Sequence, residues 1–326
     1  MVTQIKKGVI LASGNGTRAR PITYYTPKSM LPLGQTPIIK LIAYQMINAG
    51  IRDIIVISRN DKEGAATFNS IIDYFSRENV SNNLHEYKKE IENGKINIHL
   101  GFQPLDKKLG KPLGTAIGLK VAYDNGFLRD EPCAVMFSDV IQQNIDESKS
   151  LLEEMLSKYD GNTLVSMKQN DIKKISEKSA AYCRHIDGNL YKLEDVVEKP
   201  PLEYVIKNPT ELSVAGGTYL INEDGANKIG KVNRGAGGEY HITDIIGMQA
   251  RSGGVYGYLI DKSKFKSYDV GEFDILIKEN LEDKYKKDFF NYVKNSIEAI
   301  KTIFIGGVAM YGSRDDLTEL LSFLSK

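Results

Sequence analysis

Gly8-Val9-Ile10-Leu11-Ala12 is a short apolar run that stops at Ser13-Gly14-Asn15-Gly16. A run this short, ended by glycines, reads as a buried strand rather than a helix. The pattern recurs at Asp53 to Ser58, Ile96 to Leu100 and Cys133 to Phe137. Between these runs, Pro37 to Ala49 (with Gly50 as its stop), Phe68 to Phe75 and Ala116 to Tyr123 carry apolar residues at helical spacing. Strands apolar on both faces, alternating with helices, imply a mostly parallel sheet covered on both sides.

The second half changes character. Thr163 to Met167, Ala180 to Ile186, Tyr191 to Val197 and Leu212 to Ile221 are strand-like, with Asp187-Gly188-Asn189 as a hairpin turn. A helix is predicted over His241 to Arg251, then a strand at Val255 to Ile260, and a mainly helical tail from Phe273. No internal repeat or low-complexity linker interrupts the chain, which favours one continuous α/β unit over two independent domains.

Composition narrows the function classes. A formal net charge of +1 gives no reason to expect nucleic acid or an anionic membrane as partner. No run approaches the roughly 20 apolar residues that span a bilayer. The two cysteines, Cys133 and Cys183, are too few for a disulfide framework and lack metal-ligand spacing, so a cytoplasmic location is expected. One bias is local: the first 52 residues contain no Asp or Glu, yet carry Lys6, Lys7, Arg18, Arg20, Lys28, Lys40 and Arg52. Charge alone leaves open a solvated face or an anionic ligand.

The loop after the first strand bears on that choice. Gly14-Asn15-Gly16-Thr17-Arg18-Ala19 formally fits a dinucleotide fingerprint. That fold needs a helix starting within the motif and an acid about 20 residues on. Pro21, Pro27 and Pro32 would break such a helix, and no acid precedes Asp53. What remains is a glycine-rich, proline-stiffened loop holding Arg18 and Lys28. Its backbone N–H groups can approach phosphate oxygens while the cations neutralise charge, as a triphosphate requires.

Leu11-Ala12-Ser13-Gly14-Asn15-Gly16-Thr17-Arg18, then Pro21, Pro27-Lys28 and Leu31-Pro32, resembles the signature loop of the sugar nucleotidylyltransferases. Further motifs extend the resemblance to about residue 280: Gln103, Leu113-Gly114-Thr115-Ala116, Phe137-Ser138-Asp139, Val197-Glu198-Lys199-Pro200, Gly216-Gly217, Gly235-Ala236-Gly237-Gly238-Glu239 with Thr243-Asp244, and Tyr268-Asp269-Val270-Gly271. The glycine-rich segment at 235 is similar to that of bacterial UTP:glucose-1-phosphate uridylyltransferases in particular.

The resemblance implies a Rossmann-like, mixed but mostly parallel sheet sandwiched by helices, with a smaller β-rich sugar-binding part. Residues 1–280 would form the nucleotidyltransferase domain, 1–145 its nucleotide half and 146–280 its sugar half, with 281–326 as a helical extension. It implies transfer of a nucleotidyl group from a nucleoside triphosphate, UTP first, to a sugar 1-phosphate, glucose first. dTTP, CTP, other sugars or a non-catalytic regulatory subunit remain as alternatives.

Arg18, Lys28 and Lys199 would be catalytic. Leu11, Ala12, Gly14, Gly16, Thr17, Gln103 and Gly114 would bind nucleotide, and Glu198, Gly217 and Cys183 would line the sugar. Asp139 and Asp269 would hold Mg²⁺, although an Asp at a strand end can also be a helix cap. A homodimer or homotetramer is common in the family. Ser13, where the family has Gly or Ala, and Cys183, where it has Gly, depart from the pattern.

Overall fold

The computed structural model describes residues 4–20, 23, 26–34, 36–60, 93–106, 110–129, 131–146, 149–269 and 271. The expected helix at Phe68 to Phe75 and the tail from Phe273 lie outside them. Elements run in the order β1 (Lys7–Leu11), β2 (Pro32–Leu33), β3 (Thr36–Pro37), α1 (Ile38–Asn48), β4 (Asp53–Arg59), β5 (Asn97–Gln103), α2 (Thr115–Asp124), β6 (Cys133–Phe137), β7 (Val140–Asn144) and α3 (Leu151–Lys158). They continue with β8 (Thr163–Gln169), α4 (Ile172–Glu177), β9 (Ser179–Asp187), β10 (Leu190–Glu198), α5 (Leu202–Lys207), β11 (Leu212–Ser213), β12 (Thr218–Ile221), α6 (Glu223–Lys228), α7 (Ile242–Ser252), β13 (Val255–Leu259) and β14 (Phe265–Asp269).

The central sheet orders its strands β5-β4-β1-β6-β12-β8-β13-β10-β9, with β11 paired to β8. From β5 to β6 every neighbour is parallel. Beyond β6 the sheet is mixed: β12 is antiparallel to β6 and β8, β13 is parallel to β8, and β10 is antiparallel to β13 and β9. One sheet therefore carries strands from both halves of the sequence.

The period-2 side-chain alternation of strands explains both cores. Ile10, Ile54, Val56 and Met136 share one cluster with Ile38, Ile42 and Met46 of α1 and Leu151, Leu152 and Met155 of α3. Their neighbours Val9, Leu11, Ile55, Ile57 and Val135 point the other way, into a cluster with Leu119 of α2 and Ile242, Ile245 and Ile246 of α7. Each fully buried isoleucine or leucine contributes about 1.5–3 kcal/mol. A Cβ on Gly8 would lie 2.7 Å from the Met46 sulfur, so glycine there is what lets α1 pack closely on β1.

One difference from the sequence expectation has a local cause, and one turn is as expected. The predicted strand at Leu212 to Ile221 is broken into β11 and β12. Gly217 has φ 79°, and a Cβ on Gly216 would sit 2.1 Å from the Ser166 hydroxyl oxygen. The turn between β9 and β10 is the expected tight hairpin: Leu190 pairs with Asp187, and Gly188 takes φ 51° at the first turn position.

Candidate functional site

The parallel strands end together. Leu11 stands opposite Ile57 and Phe137, and Arg59 stands opposite Gln103, so the loops after β1, β5 and β6 share one edge. Open α/β sheets bind ligands at this edge. Ala12 N–H donates to the Ile57 carbonyl (2.8 Å) and Ser138 N–H to the Leu11 carbonyl (3.1 Å), fixing where the chain leaves the sheet. Gly16 then takes φ 62°, and its carbonyl accepts from the Thr23 hydroxyl at 2.7 Å. A short 3-10 turn, Thr17–Ala19, follows, with Ala19 buried as its anchor and Gly14, Thr17 and Arg18 exposed.

Lys28 opens a second 3-10 turn, and its ammonium forms an ion pair with Asp139 Oδ2. Strand β14 pairs antiparallel with β7, setting Asp269 opposite Val140 and so beside Asp139. Asp269 Oδ1 also accepts from Gly271 N–H at 2.8 Å. The place a Cβ on Gly271 would occupy lies 2.8 Å from Asp269 Oδ1, 2.9 Å from Asp139 Oδ2 and 3.0 Å from Lys28 Nζ. Three residues far apart in sequence thus converge on one point that only glycine leaves open.

Among the described residues no group of three or more His, Cys, Asp or Glu could hold a metal by itself. Two carboxylates with phosphate oxygens and water complete the hard donor set that Mg²⁺ takes, so Asp139 and Asp269 fit that ion as partial ligands.

Gln103 is fully buried at the end of β5. Its amide nitrogen donates to the Gly114 carbonyl (2.9 Å) and its amide oxygen accepts from the Ser13 hydroxyl (2.6 Å). Gly114, at φ 113°, precedes α2, and a Cβ there would lie 2.3 Å from the Tyr240 carbonyl oxygen. The Gly217 carbonyl accepts from Phe137 N–H (3.0 Å), which carries the Gly216-Gly217 turn across the end of β6.

The sugar-side candidates arrive by a different route. β10 pairs with β13 only over Leu190 to Lys192 and is irregular between Leu193 and Asp195. Freed there, it brings Glu198 to the start of α7, where Glu198 Oε2 accepts from the Thr243 hydroxyl at 2.7 Å. Burial pushes the Glu198 carboxyl up; Thr243, His241 and Lys199 act against that shift. Lys199 is exposed and, among the described residues, is the one non-glycine with positive φ (42°). That backbone is sparsely populated for a lysine and marks stored strain. Cys183 on β9 packs against the apolar cluster beneath α7, and burial pushes its thiol up to about 11, keeping it neutral.

A model of the nucleotidyl transferase family matches residues 7–286. The chain belongs to that family. A UTP–glucose-1-phosphate uridylyltransferase of Bacillus subtilis is 30% identical over 283 residues, covering 83% of this chain and 87% of that one. The enzyme of the same name from Escherichia coli K12 is 29% identical over 279 residues, covering 82% and 87%. A crystal structure of UDP-glucose pyrophosphorylase complexed with UDP-glucose aligns with TM-score 0.71 at 26% identity, covering 87% of this chain and all of that one. No helix among the described residues is long and apolar enough to cross a membrane.

Within this nucleotidyltransferase, the structure adds polar residues that the sequence did not single out. Lys168, at the end of β8, donates to the Ser267 hydroxyl at 2.7 Å. Ser267 and Asp269 share a face of β14, so Lys168 lies beside the aspartate pair. Burial pulls its ammonium down to about 8, opposed by Asp269 and Asp139. His241 is buried against Glu198, and Thr115 Oγ1 accepts from Ile242 N–H (2.9 Å), capping α7 from a different helix. Lys168 had no local signal, because its partner Ser267 is distant in sequence, and the pairings of His241 with Glu198 and of Thr115 with Ile242 are likewise long-range.

Proposed function

We propose that the chain is a Mg²⁺-dependent UTP–glucose-1-phosphate uridylyltransferase. The reading rests above all on the convergence of Lys28, Asp139 and Asp269 at Gly271, beside the exposed glycine loop. The names of the relatives above support UTP and glucose 1-phosphate as substrates. Residues 1–145 form the nucleotide half in this reading and 146–280 the sugar half.

A sugar-phosphate oxygen attacks the α-phosphorus, the bond to the bridging oxygen of the β-phosphate breaks, and pyrophosphate leaves. The attacking phosphate is already ionised near neutral pH, so no general base is needed. Catalysis then comes from bringing two anions together and neutralising their charge. Arg18, Lys28 and the loop N–H groups around Gly14, Gly16 and Thr17 hold the triphosphate and the departing pyrophosphate. Lys199 holds the attacking phosphate, and its strained backbone fixes where the ammonium projects.

Asp139 and Asp269 would hold the metal, which supplies further charge neutralisation to phosphate oxygens. Leu11, Ala12, Gln103 and Gly114 form the base side; Glu198 and Gly217 form the sugar side, with Cys183 behind it. The test mixes the protein with Mg²⁺, glucose 1-phosphate and each nucleoside triphosphate in turn, and follows pyrophosphate release. Release with UTP, absent without metal, is expected. Release with dTTP or CTP instead would correct the base. Silence with every triphosphate and sugar phosphate would leave a binding subunit.

A further inference from the structure

We infer that the Lys168 ammonium holds the sugar phosphate as a second cation beside Lys199. The inference rests on the assignment of the attacking phosphate to Lys199 and the aspartate pair made above. Met167 is fully buried in the apolar cluster beneath α7. The alternation of β8 therefore sends Lys168 to the opposite face, toward the ribbon of β7 and β14. There its ammonium donates to the Ser267 hydroxyl at 2.7 Å.

The ribbon is docked at that place by its neighbouring rungs. Gln142 stands opposite Ser267, and its amide nitrogen donates to the Gly216 carbonyl at 3.2 Å. Val140 stands opposite Asp269, and its Cβ would lie 3.3 Å from a Cβ on Gly217. One face of the ribbon thus carries Asp269 and Ser267 up to the Gly216-Gly217 turn, and Lys168 joins them from β8.

The charge of this lysine is not balanced by a direct partner. Ser267 is neutral, and among the described residues Lys168 forms no ion pair. Asp269 and Asp139 attract it from a distance, while Lys178 and Lys262 repel it. A half-buried ammonium facing one hydroxyl has lost solvation that an incoming anion would restore. An ammonium has three donors; Ser267 takes one, and two remain for phosphate oxygens.

Lys178 links this place to Lys199, since its carbonyl accepts from Lys199 N–H at 2.8 Å. Lys168 therefore has the aspartate pair on one side and the segment carrying Lys199 on the other. The attacking phosphate occupies that interval in the proposed reaction. A single ammonium is a point charge about which a phosphate can turn. Two ammoniums on separate strands fix its orientation as well, which an in-line attack requires.

The experiment measures KM for glucose 1-phosphate and for UTP in wild type, Lys168→Met, Lys168→Arg, Ser267→Ala and Lys199→Ala. Lys168→Met is expected to raise the sugar-phosphate KM about tenfold, the loss of one hydrogen bond between charged groups, with KM for UTP unchanged. Lys168→Arg keeps charge and donors and should recover most of that loss. Ser267→Ala removes the tie to β14 but leaves the ammonium, so its sugar-phosphate KM should stay near wild type. Should Lys168→Met fail to fold, Lys168→Gln, which can still donate to Ser267 but carries no charge, must show the same rise. If Ser267→Ala matches Lys168→Met, the lysine is only a strap for β14 and the inference falls. It falls equally if Lys168→Met raises the KM for UTP as much, or moves neither KM. If Lys199→Ala raises the sugar-phosphate KM while Lys168→Met does not, the phosphate assignment stands without Lys168. If Lys199→Ala itself leaves that KM unchanged, the phosphate assignment fails and takes this inference with it.

Discussion

The two sides of the proposed site are built in opposite ways. On the proposed phosphate side, Gly14, Thr17 and Arg18 are exposed, and much of what they offer is backbone N–H. On the proposed sugar side, Glu198, His241 and Thr243 are enclosed, and the Thr243 hydroxyl already donates to Glu198. A polyanion carries its own strong field, so solvated cations and glycine backbone suffice to collect it. Hydroxyl groups are uncharged and resemble water, so telling one sugar from another needs fixed acceptors in a dry pocket. In the proposed reading, charge is gathered at the surface and stereochemistry is read in the interior.

The largest expected effect breaks the point where the two sides meet. Asp139→Asn removes one candidate metal ligand and leaves Lys28 without its ion-pair carboxylate. Turnover measured by pyrophosphate release should fall about a thousandfold, the upper range for losing one charge-stabilising group. Near-wild-type turnover would leave Asp139 as a cap and dissolve the central cluster.

Arg18→Ala comes next. It should lower turnover by about a hundredfold at saturating substrates, with the folded state unchanged because the side chain is exposed. Lys199→Ala should act on the other substrate, raising the KM for sugar phosphate by about thirtyfold while sparing that for UTP. If Arg18→Ala and Lys199→Ala perturbed the same substrate equally, the division into a phosphate side and a sugar side would not hold.

The same contrast governs what could be read from sequence. β1, β4 and β6 were legible because both their faces are buried, which writes an unbroken apolar run. The glycine-rich loop was legible because its pattern is local: glycines, prolines and cations within a short stretch. β14 was not, since Phe265-Lys266-Ser267-Tyr268-Asp269 forms a two-stranded ribbon with the polar β7 and has no apolar run to announce it. The division of β11 from β12 depends on how closely Gly216 approaches Ser166, a tertiary distance. α3 carries its signal in Ser150 and Glu153, a reciprocal cap. Lys168 had no local signal at all, because its partner lies on another element.

Ser13 gives the smallest effect and the sharpest probe, because it is a sugar-side kind of contact on the phosphate side. The Gly114 carbonyl can only accept, so it fixes the Gln103 amide with nitrogen toward Gly114 and oxygen toward Ser13, whose hydroxyl must then donate. Ser13→Ala leaves that fully buried amide oxygen short of a partner, a cost of about 1–3 kcal/mol visible as a lowered Tm. It also lets the amide rock about its bond to Gly114. If Gln103 helps to read the base, the ratio of kcat/KM for UTP over CTP should fall about threefold with the sugar-phosphate KM unchanged, a loss under 1 kcal/mol. A lowered Tm with an unaltered UTP-to-CTP ratio would make Gln103 a brace between the loop and α2, and would move base reading to the backbone around Ala12 and Gly114.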